Sequence, residues 1–336
     1  MSYTEFRDGY KIESNESKPF GTFRTSTITA VGDTTYLFGA VSQESIHPSP
    51  VAIMRYTPTG YNVKEVGAGL AWKAQFQLRG MYGLVMQNGI LLWAAMGKSS
   101  TAGVVHTITP TTDGCKIPSF TINHELRGSA TNEEFQFQGC KIDSLTLVYD
   151  LKDAPFLMAK VEWMAAKATD GIALTTGPAL PATANTNAYT SLERTWDTGG
   201  TPVAIDGLQR FEFTVANGLR PVMAHTWDTG TYTGMWVQEF IEATKKQYQV
   251  NLYLHPNTIE RRMWDSLIST TTAITSTFKF IRSATDYILI TTIGPVVEHQ
   301  LITPKVGDPM ILKVVIEPYA VSIAVSDGVA AASYGE

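Results

Sequence analysis

Alternation of apolar and polar residues dominates this chain, and it predicts a protein built mainly from half-buried antiparallel strands. Trp72-Lys73-Ala74-Gln75-Phe76-Gln77-Leu78-Arg79 alternates without a break, and residues 120–124, 134–138 and 144–147 do the same. Over 156–163 the apolar side chains Leu157, Ala159, Val161 and Trp163 share one face. Only two segments read as helix. Residues 83–95 are apolar on most sides, which predicts a well-buried helix. Residues 258–268 put Ile259, Met263, Trp264 and Leu267 on one face, with Asn257 as N-cap and Glu260 completing a capping box.

Between 175 and 190 the pattern stops. Two prolines among small polar residues sustain neither period, so this stretch reads as a linker. The expected organisation is an N-terminal arm over 1–19, a first domain over 20–174, a linker over 175–194, a second domain over 195–325 and a tail over 326–336.

The two halves present the same succession of elements. The first has a strand at 51–56, a loop, the strand at 72–78, the helix at 83–95 and then further strands. The second has a strand at 209–215, a longer loop, a strand at 247–254 and the helix at 258–268. Strands at 277–281, 287–292, 296–302 and 310–316 follow. Asp153-Ala154-Pro155 leads into the last strand of one half and Asp308-Pro309 into that of the other. Shared order, not residue identity, predicts an internal duplication.

Composition narrows the function. A chain of 336 residues suits two domains, and 44% hydrophobic with 17% charged residues suits packed cores. A net charge of -5 argues against a dedicated polyanion-binding surface, while transient contact with DNA stays compatible with it. The polar N-terminus has no signal-peptide core, and the longest apolar stretch, 89–97, is too short to span a bilayer. These features predict a soluble protein made in the cytoplasm and able to leave it within a particle. Cys115 and Cys140 are too few for a disulfide framework or a zinc site. A hairpin turning near Arg127-Gly128 would set their thiols opposite each other.

Residues 106–167 carry a resemblance. His106-Thr107-Ile108-Thr109-Pro110 leads into Ile117-Pro118-Ser119-Phe120-Thr121-Ile122. Phe137-Gln138-Gly139-Cys140-Lys141-Ile142-Asp143-Ser144-Leu145-Thr146-Leu147 and a closing strand come after it. This resembles the tail tube proteins of long-tailed bacteriophages and archaeal tailed viruses, most closely in Gly-Cys-Lys-Ile-Asp-Ser-Leu-Thr-Leu. It covers about 90 residues directly, roughly 72–167, and the second half through the duplication. The resemblance implies two tandem tail-tube-type β-sandwich domains, each with one flanking helix. It also implies rings closing edge to edge and stacking into a DNA-conducting tube. Partners would be copies of the chain itself together with tape-measure, terminator and distal tail proteins. The location would be the virion tail, assembled in the host cytoplasm. Single-copy relatives close as six-membered rings, so a duplicated chain implies a trimer with pseudo-six-fold symmetry, or else a hexamer with one half outside. In that frame Lys73, Gln75, Gln77 and Arg79, with Gln247, Gln249 and Asn251, are candidate lumen-facing residues. The aromatic segment 217–245, with Trp227, Asp228, Tyr232, Trp236 and Phe240, is a candidate inter-ring loop.

Rival chemistry is thin. Thr195-Trp196-Asp197-Thr198-Gly199 recurs as Thr226-Trp227-Asp228-Thr229-Gly230, and Asp-Thr-Gly marks aspartic proteases, in which two carboxylates share a proton. That arrangement takes one copy from each lobe, whereas here both fall in one half, so the motifs read as turns. Histidines 47, 106, 124, 225, 255 and 299 show no metal-ligand spacing, and no nucleophile motif or phosphate loop appears. No enzyme, metal or cofactor is expected. Exposed tryptophans in loops also fit a viral or cell-surface adhesin, the main alternative.

Overall fold

The computed structural model describes residues 11–13, 41–56, 62–78, 85–111, 117–127, 132–152, 154–165, 167–170, 189, 191–197, 201–228, 231–241, 246–255, 273–302 and 310–327. The first half comprises β1 (Lys11–Glu13), β2 (Val41–Tyr56), β3 (Asn62–Leu78), α1 (Val85–Met96), β4 (Gly97–Ala102) and β5 (Val105–Pro110). It continues with β6 (Ser119–Arg127), β7 (Asn132–Asp150), β8 (Ala154–Ala165) and β9 (Lys167–Asp170). The second half begins with β10 (Ser191–Asp197), β11 (Val203–Ala204), β12 (Leu208–Ala216), β13 (Arg220–Asp228) and β14 (Thr231–Ile241). There follow β15 (Gln247–Leu254), β16 (Ile274–Ser283), β17 (Asp286–Gly294), β18 (Val296–Ile302), β19 (Ile311–Ile316) and β20 (Ala320–Asp327). The chain is mainly β, as its alternation predicts. The second expected helix lies outside the described residues.

The large sheet runs β18-β19-β15-β12-β7-β8-β3-β2, with β1, β6 and β9 attached beside β7. A smaller sheet runs β11-β10-β16-β17-β20-β5-β4, and β13 pairs with β14 alone. Both larger sheets draw strands from both halves of the chain. In the large sheet β7 pairs with β12, Leu147 opposite Phe213 and Leu145 opposite Val215. In the smaller one β20 lies between β17 and β5.

Apolar side chains of β5, β7, β8, β12, β15, β16, β17, β19 and β20 are buried in one core. Phe211 of β12 meets Phe278 and Phe280 of β16 at ring-centroid distances of 4.5 and 5.3 Å. Tyr149 of β7 reaches Phe280 at 5.8 Å. Each large apolar side chain withdrawn from water here contributes about 1.5–3 kcal/mol. Over β8, Leu157, Ala159, Val161 and Trp163 are all buried, the face read from the alternation.

Helix α1 is rich in Leu, Ala and Met, good helix formers. It is enclosed by β5, β7 and β20, and Leu91 through Met96 are buried without interruption. It stops because Gly97 turns left-handed, with φ 97°. Thr111 N then donates to Met96 O at 2.9 Å, tying the helix end to the chain leaving β5.

Two expectations need correction. β6 and β7 do form a hairpin, but Arg127 pairs with Asn132, so its centre falls past the expected Arg127-Gly128, and a register shift intervenes between Phe120 and Ile122. Cys140 is the ladder partner of Phe120, and Cys115 lies outside the described residues. The aromatic segment expected as a loop contains the hairpin of β13 and β14. Its alternation is disrupted by register shifts at Val222/Met223 and Thr226/Trp227, which hides it from a period-two reading.

Candidate assembly surfaces

On the face of the large sheet turned away from the core, rows of opposed residues run from one half of the chain into the other. Residues directly opposite in an antiparallel pair share a face, so the registers trace rows across five strands. One row is Gln77, Lys160, Thr146, Thr214, Gln249, and the next is Gln75, Glu162, Ser144, Ala216, Gln247. Lys73 stands opposite Met164 in the row beyond. Asn251 is opposite Glu212, the neighbour of Val148 across β12 and β7. Six of the seven candidate lumen residues are thus brought onto one face, and Arg79 lies outside the described residues.

That face holds a charged cluster at the junction of the halves, which the alternation alone did not reveal. Arg210 Nε donates to Glu212 Oε1 at 2.9 Å and Arg210 pairs with Asp150 at 3.5 Å. Its guanidinium lies 5.6 Å from the Tyr253 ring centroid, and Asn251 Nδ2 donates to Glu212 Oε2 at 3.1 Å. Burial works against the Arg210 charge, but Glu212, then Asp150 and Tyr253, more than offset it and hold the group above its ordinary pKa. The hydroxyls of Thr146 and Thr214 share a hydrogen bond of 3.1 Å across the same junction.

The strand pair β13–β14 forms an arm off the end of β12. Trp227 pairs with Tyr232, Ala224 with Trp236, Pro221 with Phe240, and Asp228 with Thr231 at the tip. The arm runs beside β3. Its base is fastened by residues of the Gly-Cys-Lys-Ile-Asp-Ser segment. Asp143 is the extra residue of a bulge between Ile142 and Ser144. Its carbonyl accepts from Asn217 N at 2.8 Å and its carboxylate from Leu219 N at 2.8 Å. The buried Asn217 Nδ2 donates to Ala95 O at 3.1 Å and to Ile142 O at 2.9 Å, joining helix end, bulge and arm.

The aspartates of the two Asp-Thr-Gly copies lie in separate sheets. Asp197 ends β10 opposite Thr275, and Asp228 flanks the arm tip. Among the described residues no group of three or more His, Cys, Asp or Glu is arranged to hold a metal, and no helix is long and apolar enough to cross a membrane.

The large sheet also repeats within itself. Its first four strands, β2-β3-β8-β7, and its last four, β12-β15-β19-β18, follow one order. A register shift separates Val41↔Leu78 from Gln43↔Gln77 in the first block, and Leu208↔Leu254 from Arg210↔Tyr253 in the second. Another separates Ile142↔Trp163 from Ser144↔Glu162, and Val296↔Ile316 from Glu298↔Val315. The first shift matches Leu78 to Leu254, and the second matches Trp163 to Ile316 and hence Ala159 to Leu312. The remaining ladder agrees, since Leu78 pairs with Ala159 and Leu254 with Leu312. Bulges seldom coincide by accident, because each is a local solution to twist. In this alignment Lys73 corresponds to Gln249.

These features define a β-rich protein whose two larger sheets join the halves of the chain and whose arm is fastened at the bulge of β7. A family model described as phage tail tube protein matches residues 20–238. That span is more than half of the chain, and the chain belongs to the phage tail tube protein family. It is a structural protein of the virion tail. No curated protein matches it in sequence.

Proposed function

We propose that this chain is the repeating subunit of the tail tube, carrying two tandem copies of the tube fold over 20–174 and 195–325. Three copies close a ring with pseudo-six-fold symmetry, and rings stack into a conduit through which DNA passes during infection. The observation that carries this reading is the four-strand block that recurs in one sheet in the same order, with a register shift in each of two strand pairs at matching positions. Barrel circumference depends on strand number and shear, whichever chains supply the strands. A doubled chain therefore fills the arc of two single ones.

The row from Gln77 to Gln249 and its neighbours would line the lumen. Threonine and glutamine hydrate such a wall, and the charges at its centre are paired with one another, so passing DNA meets few unpaired cations to hold it. The arm with Trp227, Asp228, Tyr232, Trp236 and Phe240 would contact the adjoining ring. Tape-measure, terminator and distal tail proteins would meet the tube at its ends, after assembly in the host cytoplasm. No catalytic step is assigned, and Asp197 and Asp228 act as turn residues.

Electron microscopy of the purified chain tests the proposal. Rings or tubes with six pseudo-equivalent lobes and the mass of three chains are expected. Six chains per ring would overturn the trimer alone. A discrete oligomer that binds glycans and never forms rings would favour the adhesin reading.

A further inference from the structure

The large sheet ends in two strands that lack an outer neighbour among the described residues. β18 pairs only with β19, and β2 only with β3. Strand edges left open template pairing with another chain, and proteins shield those that are not used. β18 carries little shielding. Val297 and Leu301 are 43% and 50% exposed, and no proline interrupts the strand.

The doubled block supplies the missing partner. Inside the chain, β7 ends the first block and pairs with β12, which opens the second. By the matched bulges β18 is the counterpart of β7 and β2 that of β12. Leu301 corresponds to Leu147, which is fully buried opposite Phe213. Ile46 corresponds to Phe213. Leu301 is 50% exposed at the position where Leu147 has β12 beside it.

We infer that β18 of one copy and β2 of the next form an antiparallel seam that reproduces the β7–β12 junction in register. Leu301 meets Ile46, Gln300 meets His47 and Ile302 meets Ser45. This deepens the ring reading above and rests on it for the partner being a second copy of this chain. Gln300 and His47 then hold the places that Thr146 and Thr214 hold within the chain, on the polar face. Leu301 and Ile46 continue the core. Pro48 falls opposite His299 and has no N–H to donate, so the seam has at most as many ladder bonds as its template. Such a residue on an edge strand also restricts pairing to a partner in the right register.

The test is a chain carrying His47→Cys and Gln300→Cys, assembled and treated with a mild oxidant. Directly opposed residues of an antiparallel pair lie within disulfide reach, whereas a shift of two residues along the strand exceeds it. Denaturing, non-reducing electrophoresis should show a ladder of covalently linked chains. Chains with either cysteine alone, or with Ser45→Cys in place of His47→Cys, should stay unlinked. Tubes in micrographs without links from the first pair would overturn the seam and leave the tube standing. Links without rings or tubes would uphold the seam and sink the tube. Neither links nor tubes would sink both, as would a band showing β18 joined to the β2 of its own chain. Leu301→Lys gives an independent reading. It should abolish assembly while the chain keeps its β-sheet circular dichroism, and tubes of ordinary length from this variant would overturn the seam.

Discussion

Replacing Asn217 by alanine removes two buried hydrogen bonds at once and leaves two buried carbonyls, those of Ala95 and Ile142, without their amide donor. Each stranded carbonyl costs about 1–3 kcal/mol, partly relieved where the base of the arm relaxes, so a total of about 2–4 kcal/mol is expected. For a chain of this size each kcal/mol lowers the melting temperature by about 2–4 °C, which gives a fall of about 4–16 °C. Differential scanning calorimetry on the unassembled chain reads this directly. Asn217→Asp sharpens the test, because a carboxylate set between two carbonyl oxygens is repelled by both. Its folded-state pKa must rise, so the folded state binds a proton more tightly than the unfolded chain. Stability of this variant should therefore fall as pH rises above about 4, the carboxyl's unfolded value, and recover on acidification relative to the parent. An Asn217→Ala melting temperature within about 1 °C of the parent, or an Asn217→Asp variant insensitive to pH, would refute the clamp.

Two further outcomes follow from the packing. Phe211→Ala empties a position that touches Phe278 and Phe280 between the sheets, and chemical denaturation should show a loss of about 3–5 kcal/mol. Burial pushes the Tyr149 phenol above its ordinary pKa, with Arg194 pulling partly back. The unfolded chain thus ionises there first, and stability should fall above about pH 10 by an increment that Tyr149→Phe removes in a denaturation series against pH.

What could be read from the sequence followed the regularity of each element. Residues 247–254 and 296–302 alternate or stay short between clear breaks, and their strands begin and end where expected. The interior helix showed itself because Leu91–Met96 has no polar side to present. The arm did not, since each bulge reverses the face on which the next apolar residue falls. The hairpin holding Cys140 was centred too early for a different reason: symmetry about two cysteines assumes that they are ladder partners, whereas Arg127 pairs with Asn132 and Cys140 with Phe120. Pairing of β7 with β12 was beyond reach as well. Leu145, Leu147, Phe213 and Val215 announce buried faces, but nothing local in them names the strand alongside. The polar rows were half legible, as Gln75, Gln77 and Gln249 are visible in sequence while the Arg210–Glu212–Asp150 cluster exists only through that pairing.

The position of β20 has a consequence for how the protein is made. Val105–Pro110, near the middle of the first half, has β4 on one side and acquires its second neighbour only when Ala320–Asp327 has been synthesised. Until then the helix that β20 helps to enclose keeps one side of Leu91–Met96 uncovered, however early those residues left the ribosome. The cover over α1 in the first half is thus completed only by the second. In the tube proposed above, a chain that ends before β20 would therefore meet its neighbours with β5 lacking one strand partner and α1 lacking part of its cover.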